Sequence, residues 1–270
     1  MLVGTARAQT DRESSPNGGN LFKRFAIDQK LLVTDWTVQE VKRPSFSIPL
    51  TFGFAVAALG DERAVGVDLR GERWFEQHSE GGTHGMWEGF TRLGDAGPAL
   101  AITGATWLTA KLAGRRHLQY TTSLAAEAML DAAVDSTIIK MVTQRPRPSD
   151  GGEGDFFVSH PPPGQSSDSF PSGHTMGAFA VATVFAREYS GNRAVPWIAY
   201  GGATMIGLSR IALGRHFPSD VLVGAVLGHS IGSLVIARDG GEVGHHAPID
   251  LEPLLPTKEH GPGIAYRHTW

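Results

Sequence analysis

Apolar residues gather in six stretches along the chain, at about Ile48 to Leu59, Pro98 to Leu112, Ser123 to Val142, Thr175 to Phe185, Ala194 to Leu213 and Val221 to Ala237. Their length and their richness in Ala, Gly, Leu and Ile favour helices over strands. Alternating apolar and polar runs bounded by two-residue turns, the mark of hairpins, are scarce. The pattern therefore predicts an all-α helical bundle with about six core helices. Two interruptions frame it. Between Pro148 and Pro171 the chain reads Ser149-Asp150-Gly151-Gly152-Glu153-Gly154 and then Pro161-Pro162-Pro163-Gly164, a long loop without period. Loops of this length in compact domains are usually functional or disordered, and its place between two candidate motifs favours a substrate-contacting segment. After Gly240, repeated prolines and glycines predict an extended tail over residues 241–270.

The chain has 270 residues, 24 basic and 27 acidic, with 41% hydrophobic and 19% charged residues. That is ordinary globular composition. A formal net charge of -3 gives no long-range positive field, so nucleic acid is not an expected partner and anion binding must be local. The absence of cysteine excludes disulfides, thiolate metal sites and cysteine nucleophiles. Mean hydropathy of -0.12 is low for a polytopic membrane protein. Only Val221 to Ala237 approaches a spanning length, and a central core helix explains it as well. The Ala194 to Leu213 segment carries Arg210, a charge costly in lipid and expected at a functional site. The balance favours a soluble or membrane-associated body. Residues 1–20 read as a flexible N-terminus, in which Ala6-Arg7-Ala8 resembles the end of a signal peptide.

Three clusters carry candidate chemistry. The first is Lys140-Met141-Val142-Thr143-Gln144-Arg145-Pro146-Arg147-Pro148, at the end of a helix stopped by prolines. A helix held as far as Arg147 would put Lys140 and Arg147 on nearly one face. Lys as a point charge and Arg as a bidentate fork suit a phosphate, although a basic last turn facing the helix dipole would explain this segment alone. Arg145 is assigned either to substrate or to solvent. The second cluster is Ser169-Phe170-Pro171-Ser172-Gly173-His174-Thr175, just before an apolar helix. Ser172 stands where an N-cap belongs, and unpaired N–H groups of Gly173 and His174 would converge on one point. An ordinary cap followed by a solvent-facing histidine is the plainer alternative.

The third cluster is Ser209-Arg210-Ile211-Ala212-Leu213-Gly214-Arg215-His216-Phe217-Pro218-Ser219-Asp220. Pro218 suits the first turn of the next helix, so His216 lies just outside it and Asp220 within reach of the imidazole. A carboxylate there fixes the tautomer and leaves the other ring nitrogen as a nucleophile. A capping Asp beside an incidental histidine is again the plainer alternative. Elsewhere, Glu127, Asp131 and Asp135 recur every four residues and read as a solvated face rather than a relay behind the site. His245 and His246 in the tail lack a third ligand of suitable spacing, so no metal site is expected.

Taken together, Lys140-x6-Arg147-Pro148, Pro171-Ser172-Gly173-His174 and Ser209-Arg210-x5-His216-x3-Asp220 resemble, in order and without a gap, the three-part signature of the type 2 phosphatidic acid phosphatase (PAP2) and vanadium haloperoxidase superfamily. The resemblance covers about Lys140 to Asp220. It implies a PAP2-like helical domain over 21–240. It also implies a metal-independent phosphatase acting on phosphate monoesters, above all lipid phosphates of the phosphatidic acid or isoprenoid phosphate and diphosphate type. His216 would form a phosphohistidine, Asp220 would orient it, and His174 would protonate the leaving group. Lys140, Arg147, Ser172, Gly173 and Arg210 would hold the phosphate. No cofactor is implied, vanadate being an inhibitor. Partners would be a phosphorylated small molecule or lipid and a membrane surface, and the location periplasmic or membrane-associated. A vanadium-dependent haloperoxidase, with vanadate as cofactor in the same cradle, and a non-catalytic phospholipid-binding membrane protein stay open as alternatives. The loop from Ser149 to Ser169 and a helix near Leu21 to Val41 are expected to line the entrance.

Overall fold

The structure, a computed structural model, describes residues 21–58, 66–79, 81–158, 164–239, 250–254 and 263–267. The N-terminal stretch 1–20 and the His245-His246 pair lie outside the described residues. Ten α-helices are found among those described: α1 Leu21–Val33, α2 Asp35–Val41, α3 Pro44–Ala58, α4 Val67–Ser79, α5 His84–Gly94, α6 Ala96–Leu112, α7 Arg116–Thr143, α8 Gly173–Glu188, α9 Ala194–Ala212 and α10 Pro218–Asp239. The six apolar stretches are α3 and α6 to α10. The tail contributes a two-stranded antiparallel ribbon, β1 Asp250–Leu254 against β2 Gly263–Arg267, with Glu252 opposite Ala265. The body is all-α, as the apolar pattern predicts.

Helix α8 is the axis of the bundle, flanked by α7, α9 and α10. Its inner face joins Met176, Ala180 and Val184 to Leu124, Ala128 and Ala132 of α7 and to Ile231 and Val235 of α10. Small residues every four positions on α10 let two backbones meet. A Cβ on Gly228 would fall 2.1 Å from the Met176 carbonyl oxygen, and one on Gly232 would fall 2.5 Å from that of Ala180. Only glycine at these positions permits the contact, and it brings the N-termini of α8 and α10, which carry the second and third motifs, to one end of the bundle. Helix α10 is long and apolar enough to cross a membrane, yet most of it is buried within the protein, as a core helix would be.

The outer helices are different. On α6 only Ala110 is buried, and Leu100, Ile102, Leu108 and Leu112 are exposed. Ile48, Phe52 and Phe54 of α3 and Trp197 and Ile198 of α9 are exposed too, Trp197 at 82%. Apolar side chains thus form a broad surface belt, far more than single scattered residues.

Two expectations are corrected here. Helices α1 and α2 do not line the entrance to the site. Trp36 of α2 is buried against Leu234 and Ala237 at the far end of α10, and Arg24 of α1 pairs with Glu127 in the middle of α7. The acidic stripe is no solvated face either. Glu127 and Asp131 are 0% exposed, Glu127 being held by Arg24 and by Arg238 Nη1 at 2.9 Å, while Arg238 also reaches Asp28 at 2.5 Å. Buried carboxylates must be paired, and the partners arrive from the two ends of the chain.

Candidate active site

The three motifs meet at the end of the bundle where α7 and α9 finish and α8 and α10 begin. Helix α7 ends at Thr143, because Gln144 adopts a left-handed conformation (φ 44°, ψ 48°) that terminates the helix before the prolines. The helix therefore does not hold to Arg147, contrary to the two-turn spacing. Arg147 instead lies on an extended segment (φ -80°, ψ 149°) and pairs with Asp168 at 2.7 Å. The segment between the motifs is tied in by backbone bonds. Ser169 N–H donates to the Arg145 carbonyl at 2.8 Å, Thr143 Oγ1 to that of Phe170 at 2.9 Å, and Ser172 N–H to that of Asp220 at 3.0 Å.

Ser172 caps α8 by position (φ -69°, ψ 106°), but its hydroxyl makes no cap bond and instead accepts one from Thr175 at 2.9 Å. The first N–H groups of α8 thus lack the side-chain partner that a capping serine usually gives. Lys140 is close by: a Cβ on Gly173 would stand 3.8 Å from its Nζ. Burial lowers the Lys140 pKa, and Arg147 and Arg210 lower it further. Arg210 is lowered to about 10, first by burial and then by Arg147 and Arg215. Arg147 Nε and Arg210 Nε are buried donors without a hydrogen-bond partner among the described residues. Mutually repelling cations with unmet donors, gathered at a helix N-terminus, are an arrangement that an anion would satisfy.

His216 sits beneath this cradle, buried. Its Nδ1 lies 2.7 Å from the Ser169 carbonyl oxygen, which only accepts, so the proton is on Nδ1 and the lone pair on Nε2. Asp220 is the more distant partner, its Oδ2 being 3.7 Å from Nδ1. The direct orienting bond expected from Asp220 is therefore made by a backbone carbonyl, with the carboxylate behind it. Burial pushes the His216 pKa down to about 4 against the opposing pull of Asp220, so the ring is neutral near pH 7. Asp220 Oδ2 also accepts from Phe217 N–H at 2.9 Å and from Ser169 Oγ at 2.5 Å. It is both the cap of α10 and the support of the histidine, so the two readings of this residue hold together.

Arg145 faces inward, away from solvent. It is 0% exposed, lies between the Phe156 and Phe217 rings at 4.6 and 4.2 Å, and bonds Asp220 at 2.5 Å, Asp68 at 2.7 Å, Ser219 Oγ at 2.8 Å and the Gly154 carbonyl at 3.1 Å. Burial alone would raise the Asp220 pKa, but Arg145 and the other donors bring it down to about 2. For Asp68 burial outweighs Arg145, and repulsion from Asp220 adds to it, so its pKa is raised. The two differ in their neighbours: His216 and Ser169 help Arg145 to hold Asp220 ionised, whereas Asp68 faces the Asp220 charge. Asp68, on α4, had no sequence signal. His174 Nε2 is 2.7 Å from Asp95 Oδ1, a second carboxylate from the part of the chain that no motif covers.

A groove of about 720 Å³ opens beside this cradle. It starts at Ser136, Gly173 and His174 and continues between α6, α8 and α9 past Ala178, Ala199 and Phe185. Its lining is almost wholly apolar. From Gly173 to Phe185 it follows α8 for roughly 18 Å at the helical rise. Among the described residues, the loop between Ser149 and Ser169 does not line it; what they contribute to the site is Gly154 and Phe156 on Arg145, Asp168 on Arg147 and the Ser169 bonds to His216 and Asp220.

Residues 116–240 match the PAP2 superfamily, and the three motifs fall within that stretch. This region belongs to the PAP2 superfamily. The PAP2 region is similar to lipid A 1-phosphatase of Porphyromonas gingivalis, 49% identical over 76 residues, covering 27% of this chain and 17% of that protein. It is also similar to undecaprenyl-diphosphatase BcrC of Bacillus subtilis, 32% identical over 134 residues, covering 48% of this chain and 62% of that one. The chain thus spans less than two thirds of the length of either relative. The crystal structure of Aquifex aeolicus LpxE has a TM-score of 0.51 and 25% identity, covering 63% of this chain and 94% of that chain. The PAP2 fold therefore extends beyond the motif-bearing helices.

Proposed function

We propose that the protein is a metal-independent phosphatase that hydrolyses lipid phosphate esters through a phosphohistidine on His216. The observation that carries this reading is the apolar groove continuous with a cationic cradle: a phosphate in the cradle leaves a hydrocarbon chain nowhere better to lie than against α6, α8 and α9. The similarity to a lipid A 1-phosphatase and an undecaprenyl-diphosphatase points the same way. A halide and a peroxide are small and polar and need no such groove, and a binding module needs no neutral histidine with its tautomer fixed.

In this mechanism Lys140, Arg147 and Arg210, the Ser172 hydroxyl and the N–H groups at the start of α8 neutralise the phosphoryl oxygens, where charge builds during transfer. His216 Nε2 attacks phosphorus, the ester P–O bond breaks, and His174 passes its proton to the departing alkoxide. Neutral His174 then takes a proton from water as the water oxygen attacks phosphorus and the P–N bond breaks. The three cations supply the charge that magnesium supplies in other phosphoryl transfers.

The pH profile follows. His216 must be neutral and His174 protonated. The kcat/KM of the enzyme is expected to rise through about pH 4 as His216 loses its proton. It then falls below the ordinary histidine value of 6.5, because burial first, then Arg210 and Lys140, outweigh Asp95 and lower the His174 pKa. A profile still rising above pH 7 would contradict these assignments.

The apolar belt of α3, α6 and α9 is the surface we assign to lipid, which makes the protein membrane-associated and lets a chain enter the groove sideways between α6 and α9. A periplasmic location would fit the resemblance of Ala6-Arg7-Ala8 to the end of a signal peptide. The test is Ala199→Phe, which fills the groove from α9 at a position eleven residues, about three turns, before Arg210. Excluding about three methylenes at about 0.8 kcal/mol each should lower kcat/KM for a long-chain phosphatidic acid about 50-fold and leave p-nitrophenyl phosphate nearly unchanged. Equal losses on both substrates would overturn the lipid assignment.

A further inference from the structure

The corner between α5 and α6 is built into the site, although it precedes the matched PAP2 region and carries no motif. Three contacts come from one short stretch. Asp95 Oδ1 lies 2.7 Å from His174 Nε2, Thr91 Oγ1 accepts from Arg210 Nη1 at 2.5 Å, and a Cβ on Gly94 would fall 3.0 Å from His174 Cδ2 and 2.8 Å from Ile206 Cγ2. Asp95 is the N-cap residue of α6 and has the extended backbone of a cap (φ -66°, ψ 141°), yet its side chain makes no bond to its own helix. Asp is among the best N-cap residues, and such a bond stabilises a helix by about 1 kcal/mol. Here the carboxylate is turned to a histidine 79 positions further along the chain.

We propose that Asp95 is the positioning residue of His174, holding the ring by its Nε2–H and stabilising the imidazolium that donates a proton to the leaving group. The inference rests on the phosphatase reading for the role of His174, but the pairing itself rests on geometry. An ionised carboxylate only accepts, so the hydrogen of this bond is on Nε2, and Nδ1 is the nitrogen left to pass the proton. In the forward step the imidazolium Nδ1–H goes to the alkoxide oxygen as the ester P–O bond breaks. In the second step neutral Nδ1 takes a proton from the attacking water. Asp95 accepts the Nε2–H bond throughout and is not itself protonated. The charged groups acting on His174 are Arg210 from α9 and Lys140 from α7, both opposing its protonation, and Asp95, which favours it. Without Asp95 the ring would face two cations alone. The site then holds two histidine–carboxylate pairs of opposite duty: His216 with Asp220 is kept neutral to attack, and His174 with Asp95 is helped to stay charged.

Asp95→Asn keeps the shape and removes the charge, at a half-exposed position where folding is not at risk. Two readouts are needed. The first is the titration of the His174 ring by NMR in the full chain, assigned by loss of its signal in His174→Gln. Its midpoint should move to lower pH in Asp95→Asn and return in Asp95→Glu. The second is the metal-free kcat/KM for an alkyl phosphate against p-nitrophenyl phosphate, which reports phosphoryl transfer to His216 and not the later attack of water. Loss of well-placed proton donation should slow the alkyl ester about 10- to 100-fold and change the nitrophenyl ester little, because its leaving group needs no proton. The descending limb of the pH profile should move to lower pH by the same amount as the NMR midpoint. An unchanged midpoint, or an equal loss on both esters, would overturn the proposal. A wild type that hydrolyses neither ester would sink the phosphatase reading instead, leaving the titration to judge the pairing.

Discussion

Replacing Arg145 with methionine is expected to destabilise the protein by about 3–5 kcal/mol, the usual cost of breaking a fully buried ion pair by removing one partner. Methionine keeps the apolar stem but not the guanidinium, so the loss combines two stranded charges with a small cavity between the Phe156 and Phe217 rings. The guanidinium is the shared partner of Asp68 and Asp220, both 0% exposed, and its removal strands two carboxylates in the interior. Thermal unfolding should show a midpoint lower by on the order of 10 °C. Adding Asp68→Asn to Arg145→Met removes one of the stranded charges and should recover part of the loss, which a simple packing defect would not. An unchanged midpoint in Arg145→Met would mean that the network around Asp220 contributes nothing net.

That prediction concerns a residue whose role the sequence hid. Arg145 lies two positions before Arg147 in a run of prolines and cations, and nothing in the spacing separates the arginine that faces phosphate from the one that faces inward. The difference is made by Asp68 and by the Phe156 and Phe217 rings, from other parts of the chain. Glu127 and Asp131 were misleading for the same reason: a stripe of acids reads as solvated until Arg24 and Arg238 arrive to pair with Glu127 and Gln29 to bond Asp131. Asp95 sits at a helix start where an aspartate is ordinary, and only the fold reveals that its side chain turns away from that helix. The six apolar segments, by contrast, were legible because a bundle of this kind puts long Ala, Gly and Leu runs on its main helices. The three motifs were legible because their signals are local: a serine at a helix start, prolines just beyond a helix end, and a histidine just outside a first turn. Two local geometries were not legible: the end of α7, where Gln144 turns left-handed and Arg147 reaches the site on extended chain, and the Nδ1 of His216, which bonds the Ser169 carbonyl with Asp220 further away.

His216→Ala is expected to lower turnover by a factor on the order of 10⁴ or more, as removal of a nucleophile does elsewhere. Binding of phosphate or vanadate should survive, since Lys140, Arg147 and Arg210 are untouched. The stability cost should be that of a cavity, without a buried charge left behind, because His216 is neutral and Asp220 keeps Arg145, Ser169 and Phe217 N–H. A His216→Ala protein as active as wild type would leave the cradle in place but require attack by water.

The central claim is that His216 is covalently phosphorylated during turnover. The most direct measurement is rapid quenching of the enzyme at alkaline pH during hydrolysis of p-nitrophenyl phosphate with EDTA present, followed by mass spectrometry of the peptide containing His216. The account predicts an acid-labile phosphoryl group on His216 that is absent in His216→Ala and suppressed by vanadate. Sustained hydrolysis with no phosphorylated peptide, or with the phosphoryl group on another residue, would contradict it.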